Sequence, residues 1–206
     1  DMYTEYLADK ENVYYKSKLL PIKNNGSLKV VSLEQGEKFL YDEINGYVFK
    51  EDYFFDREKS PYKALGNKGN HMYNMIFVNN EGIYYYDNQE KKLKRAGDNI
   101  FIGNEEELSP NIFTDDENIY YFSAYDVTTA TKKSIGELIS KNTDICYLDK
   151  KEGWEKVKDI QSNVIGSVWT KNGKYYYFDN LGNSQLINDT VFEITDKEVL
   201  NELLSD

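Results

Sequence analysis

The chain has 206 residues, 40% of them hydrophobic, 15% aromatic and 30% charged. That length suits one domain or two small ones, with enough apolar side chains for a core, and the charges are too scattered for a disordered chain. The net charge of −11 comes from 25 basic and 36 acidic residues; it repels phosphate backbones and anionic membrane surfaces, so nucleic-acid binding is not expected.

Read from the N-terminus, five segments share one pattern: an apolar pair, a polar turn, then two or three aromatics. The first is Tyr6-Leu7, a turn at residues 8–12, then Val13-Tyr14-Tyr15. The second joins Tyr47-Val48-Phe49 to Tyr53-Phe54-Phe55 through Lys50-Glu51-Asp52. The third joins Ile76-Phe77-Val78 to Ile83-Tyr84-Tyr85-Tyr86 through Asn79-Asn80-Glu81-Gly82. The fourth joins Ile112-Phe113 to Ile119-Tyr120-Tyr121-Phe122 through residues 114–118. The fifth joins Val168-Trp169 to Tyr175-Tyr176-Tyr177-Phe178 through residues 170–174. Tyr and Phe favour strands, and Asn, Asp and Gly favour tight turns, so each segment predicts a β-hairpin.

Taking Tyr14, Tyr53, Tyr84, Tyr120 and Tyr175 as equivalent, the spacings are 39, 31, 36 and 55 residues. Their mean of about 40 is the length of a four-stranded propeller blade. The long last gap holds an insertion over residues 123–143. Adjacent strand residues point to opposite faces, so Tyr84-Tyr85-Tyr86 puts aromatics on both faces and asks for cover on both. Stacked sheets supply that cover where helices are few. Further hairpins are predicted from Tyr85-Tyr86 toward Leu93, from Ile145–Leu148 into Trp154–Val157, and from Tyr177–Asp179 into Gln185–Ile187. Thr195-Asp196-Lys197-Glu198 has a capping-box pattern that starts a C-terminal helix over 196–204. Ser134-Ile135-Gly136-Glu137 has the same pattern and predicts one helical turn within the insertion. The expected fold is therefore all-β, a single repeat-built domain over 1–206 with about five propeller-like blades and a short C-terminal helix.

The candidate chemistry is thin. One cysteine, Cys146, allows no intrachain disulfide and reads as a buried thiol between apolar neighbours. The one histidine, His71, has neither a nucleophile-elbow motif nor zinc partners beside it. No phosphate-binding glycine motif occurs, and Gly66-Asn67-Lys68-Gly69 reads as a turn. No nucleotide cofactor or metal ligand set is expected. The densest carboxylates, Glu105-Glu106-Glu107 and Asp115-Asp116-Glu117, suit solvated turns, with paired-carboxylate glycoside hydrolysis and weak Ca²⁺ binding as competing readings. Tyr125 and Asp126 lie off the repeat pattern in the insertion, where binding residues concentrate on a rigid scaffold. They are the predicted binding residues.

Asp9-Lys10-Glu11-Asn12-Val13-Tyr14-Tyr15 and Asp115-Asp116-Glu117-Asn118-Ile119-Tyr120-Tyr121 resemble the repeat of DKNYY-type proteins. The resemblance covers two of the five units and carries over no catalytic residue. It implies a repetitive bacterial protein, often exported, with no assigned reaction. The chain begins at Asp1 rather than Met, which reads as processing or truncation upstream, and no apolar run approaches the ~20 residues of a membrane span. The expected role is a non-catalytic module at the periplasm, cell surface or exterior that binds a protein or glycan through loops.

Overall fold

The structure, a computed structural model, describes residues 5–32, 38–66, 75–87, 90–109, 112–131, 134–160, 166–179 and 191–205. Strands make up 56% of the chain, more than twice the usual share of roughly 20–25%, and all five sheets are antiparallel meanders in chain order.

The first sheet has three strands, β1 (Tyr6–Ala8), β2 (Asn12–Tyr15) and β3 (Lys18–Lys23). The second has β4 (Leu28–Ser32), β5 (Lys38–Asp42), β6 (Tyr47–Lys50) and β7 (Tyr53–Phe54). The third has β8 (Lys63–Leu65), β9 (Ile76–Val78), β10 (Ile83–Asp87) and β11 (Lys92–Gly97). The fourth has β12 (Glu106–Ser109), β13 (Ile112–Thr114), β14 (Asn118–Thr131) and β15 (Ser134–Lys150). The fifth has β16 (Glu155–Ile160), β17 (Gly166–Lys171), β18 (Lys174–Asp179) and β19 (Val191–Glu193), followed by helix α1 (Lys197–Ser205). The chain divides into two compact units, Asp1–Asn99 with the first three sheets and Ile100–Asp206 with the last two and α1.

All five predicted hairpins form, as β1–β2, β6–β7, β9–β10, β13–β14 and β17–β18. In two of the two-residue loops both residues take the left-handed conformation that matches strand twist. Lys16 and Ser17 sit at φ 45° and 66°, and Asn172 and Gly173 at 53° and 74°. The predicted pairing of Tyr86 with Leu93 also forms, with those two residues directly opposite.

Three local readings are corrected. In the second sheet, Tyr53 lies on the fourth strand, so the central hairpin is β5–β6 and not β6–β7. Both turns carry polar residues followed by aromatics, and only strand order tells them apart. Ile145–Leu148 does not form a hairpin with Trp154–Val157: β15 pairs back on β14, and β16 opens the next sheet. Ser134–Glu137 is strand rather than helix, because its main chain pairs with β14 from Thr131 onward. The predicted strand Gln185–Ile187 and His71 lie outside the described residues; the described partner of β18 is Val191–Glu193.

Packing bears out the demand for cover on both faces. On one face of the second sheet, Leu40 and Phe49 join Tyr6, Val13, Tyr15, Leu20 and Ile22 of the first. On its other face, Phe39 and Val48 join Phe77, Tyr84 and Tyr86 of the third. Tyr84, Tyr85 and Tyr86 are all buried. Each fully buried aromatic or aliphatic side chain contributes ~1.5–3 kcal/mol. In the second unit, Ile112 and Ile119 of the fourth sheet pack on Trp169 and Phe178 of the fifth, whose rings stack at 4.9 Å. Helix α1 begins one residue later than predicted. Its cap is Asp196, whose Oδ1 accepts from the Glu198 and Val199 amides at 2.7 and 3.3 Å.

Candidate functional site

The repeat motif holds the most recognisable polar residues. In the first sheet, Asp9 Oδ1 accepts from the Glu11 and Asn12 amides at 2.8 and 2.7 Å, and Oδ2 accepts from Tyr14 Oη at 3.0 Å. In the fourth sheet the same geometry recurs. Asp115 Oδ1 accepts from the Glu117 and Asn118 amides at 2.8 and 2.7 Å, and Oδ2 from Tyr120 Oη at 2.9 Å. Asn79 plays the part in the third sheet, with Oδ1 accepting from Glu81 and Gly82 at 2.9 and 3.0 Å. Each is an Asx turn in which a short polar side chain satisfies two amides that the tight turn leaves without strand partners.

A second tie fastens the same turns. The carbonyls of Asp9, Asn79 and Asp115 accept from Asn24 Nδ2 at 2.6 Å, Asn99 Nδ2 at 3.0 Å and Lys151 Nζ at 3.0 Å. In each case the donor follows the last strand of its sheet. The sequence signal for this tie is weak, since the donor lies 15, 20 or 36 residues downstream. The insertion accounts for the longest of these distances.

These contacts fix the electrostatics. The amides of Glu11 and Asn12 hold the Asp9 carboxyl at about 2. Burial pushes Asp115 upward, but the amides of Ile102, Glu117 and Asn118 and the Tyr120 hydroxyl outweigh it and hold the carboxyl below its ordinary value. Burial, then the bond to Asp115, pushes Tyr120 up to about 12. Asp42, in the turn after β5, is likewise pushed up by burial and brought below its usual value by Asn45, Asn25 and Ser27. In the other dense acidic group, Glu107 is buried in β12. Asp9, Asp42 and Asp115 are acceptors for turn amides and hydroxyls, and Glu117 pairs with Lys150 at 3.2 Å. Among the described residues, no group of three or more His, Cys, Asp or Glu is arranged to hold a metal ion.

Tyr125 and Asp126, the predicted binding residues, lie in β14, where their main chains pair with Asn142 and Lys141 of β15. Beyond Tyr121, the last residue that β13 pairs, β14 and β15 pair only with each other among the described residues. The insertion is therefore a two-stranded ribbon. From Phe122 to Thr131 it extends roughly 30 Å at ~3.3 Å per residue. Length and off-pattern composition marked this segment in the sequence; its extended form was hidden by the false capping box at Ser134.

Two grooves were not foreseen. One, of about 480 Å³, runs along the edge of β3 and includes Asn12, Lys23, Asn25, Asp42, Tyr47 and Arg57. Its carboxylate, Asp42, is saturated by turn donors, and the Arg57 guanidinium lies over the Tyr47 ring at 5.3 Å. Pro21 sits on this edge strand and denies it one main-chain donor, which discourages strand addition. The other groove, of about 560 Å³, lies between the fifth sheet and α1 and is lined by Ile160, Tyr177, Phe192, Ile194 and Val199 among others. No helix is long and apolar enough to cross a membrane among the described residues.

Compared with family models, curated proteins and solved structures, the chain shows no match.

Proposed function

We propose that the chain is a non-catalytic interaction module, exported from a bacterium, whose sheets are propeller-like blades and whose β14–β15 ribbon engages a protein partner. The observation that carries this reading is the ribbon itself, 14 and 17 residues long beside neighbours of 4 and 3. An isolated two-stranded ribbon is marginal in water and gains stability when a further strand or surface covers it. Its outer edges offer main-chain donors and acceptors for strand addition, the mode by which many modules take up extended segments. Tyr125 adds the residue type that most often anchors an interface. A protein is favoured over a glycan because the ribbon presents main-chain edges rather than a walled cleft.

The carboxylates of Asp9, Asp42 and Asp115 support the non-catalytic part, since each accepts from amide and hydroxyl donors. Export rests on the resemblance to DKNYY-type repeats.

The test replaces residues 123–144 with Asn-Gly, joining Phe122 to Ile145 across a register that already pairs. Immobilised wild type, this variant and Tyr125→Ala/Asp126→Ala are compared for capture from a bacterial envelope extract and for binding on a glycan array. Loss of one defined protein in both variants, with an unchanged melting temperature, supports the reading. A glycan that still binds the ribbon-less variant refutes it.

A further inference from the structure

Asparagine followed by glycine occurs three times, at Asn25-Gly26, Asn45-Gly46 and Asn172-Gly173. This pairing is open to an internal reaction, because glycine has no side chain to keep its amide nitrogen away from the asparagine carboxamide. All three lie in connections between strands. Their local chemistry is the same, and their surroundings are not.

Two of them are tied down. Asn25 Nδ2 donates to both Asp42 oxygens at 3.0 and 2.9 Å, and its Oδ1 accepts from the Ser27 amide and hydroxyl at 2.9 and 2.7 Å. The Gly26 amide donates to Asn24 Oδ1 at 3.1 Å. Asn45 Nδ2 donates to Asp42 Oδ2 at 2.8 Å, and the Gly46 amide donates to the Asp42 carbonyl at 2.8 Å. Gly46 is buried, and a Cβ there would lie 2.7 Å from the Pro61 Cα, so its peptide has no room to turn. Buried Asp42 thus holds both carboxamides.

The third is loose. Asn172-Gly173 forms the two-residue loop of the β17–β18 hairpin, and both residues are exposed. Among the described residues, neither the Asn172 carboxamide nor the Gly173 amide has a hydrogen-bond partner. Nothing lies within 4 Å of the place a Gly173 Cβ would take. Turning the peptide between these two residues therefore breaks no bond of that carboxamide or that amide and meets no neighbour.

We infer that Asn172 is a modification site, at which the folded protein loses ammonia selectively among its three Asn-Gly pairs. The Gly173 nitrogen attacks Asn172 Cγ and forms a new C–N bond. The carboxamide nitrogen leaves as ammonia, taking up the proton that the Gly173 amide gives away, and a cyclic imide remains. Water then opens the imide at either carbonyl, which yields aspartate or isoaspartate. The balance is one water in and one ammonia out, with no change of oxidation state. In the isoaspartyl product the main chain runs through Cγ and is one atom longer. The loop is pinned at two residues by the pairs Lys171–Lys174 and Thr170–Tyr175, so those pairs open. Trp169–Tyr176, packed in the core, stays closed. Either product adds a negative charge at the hairpin tip.

The test holds the intact, folded protein in mildly alkaline buffer and maps digests by mass spectrometry with electron-transfer fragmentation, which separates isoaspartate from aspartate. Asn172 should convert at least about tenfold faster than Asn25 or Asn45, the factor that one retained hydrogen bond of ~1.4 kcal/mol confers. In concentrated urea, where the ties are gone, the three rates should converge. Asp42→Ala should speed Asn25 and Asn45 and leave Asn172 unchanged; if that variant does not fold, the comparison in urea still decides. Asn172→Gly, which suits the left-handed φ of 53°, should abolish the acidic species that accumulates on ion exchange as wild type ages. Equal rates at the three sites in the folded protein overturn the inference. So does an Asn172 that stays intact, or a preference for it that persists undiminished in urea.

Discussion

Replacing Asp115 with Ala tests the account of the repeat most directly. Asp115 is fully buried and its two oxygens serve four donors: the Glu117 and Asn118 amides on Oδ1, the Ile102 amide and the Tyr120 hydroxyl on Oδ2. Two of those bonds, from the Asn118 amide and the Tyr120 hydroxyl, are buried. A buried donor left without an acceptor costs ~1–3 kcal/mol, so Asp115→Ala should destabilise by about 3–5 kcal/mol. For a chain of this length that lowers the melting temperature by roughly 10 °C. Asp115→Asn keeps one acceptor oxygen but turns an NH₂ toward Ile102 and Tyr120, and should fall between, at ~1–2 kcal/mol. Asp9 makes the same turn at the surface, where water replaces the lost acceptor, so Asp9→Ala should cost no more than ~1 kcal/mol. Asp9→Asn should be close to neutral, since Asn79 fills this role natively. Urea titrations at fixed pH give all four values. Equal losses for Asp115→Ala and Asp9→Ala would refute the reasoning, because burial of the donors would then not set the cost.

The acid limb of stability follows from the same bonds. Asp9, Asp42 and Asp115 have folded-state values below their unfolded ones, so their stabilisation is complete above the unfolded value of ~3.9 and is lost as pH falls through the folded values. The urea midpoint should hold from about pH 7 to about pH 5 and then drop toward about pH 2; a midpoint that rises on acidification would contradict this. Gly166→Ala should be strongly destabilising, by about 2–3 kcal/mol, because its Cβ would lie 2.1 Å from Tyr177 Oη. The double substitution Gly166→Ala/Tyr177→Ala should lose less than the sum of its parts in a double-mutant cycle. Trp169→Ala, which removes the ring stacked on Phe178, should cost ~3–5 kcal/mol and broaden thermal unfolding of the second unit followed by near-UV circular dichroism.

The strand-forming segments, the turns between them and the C-terminal helix were legible in the chain alone. These are local matters: Asx turns need an Asp or Asn beside free amides, strands need alternating or aromatic runs, and a cap needs a short polar acceptor. Asp9, Asn79 and Asp115 were legible as turn residues because the groups they satisfy lie within three residues. Tyr84-Tyr85-Tyr86 announced a sheet covered on both faces for the same reason, since the pleat decides alternation before any partner arrives. What the tertiary structure decided is which strand pairs with which. The Lys50-Glu51-Asp52 turn carries the same kind of residues as the central turns, and only the presence of β5 beside β6 shows it to be the outer hairpin. Ser134–Glu137 could cap a helix when read alone; pairing with β14 satisfies its main chain instead. The ties from Asn24, Asn99 and Lys151 depend on where a distant strand ends. The exposure of Leu7 and Leu19 was equally invisible, because residues of the same type are buried elsewhere in the repeat. Whether such a residue is buried depends on the presence of a neighbouring sheet, and that is a property of the assembled fold rather than of any local stretch of chain.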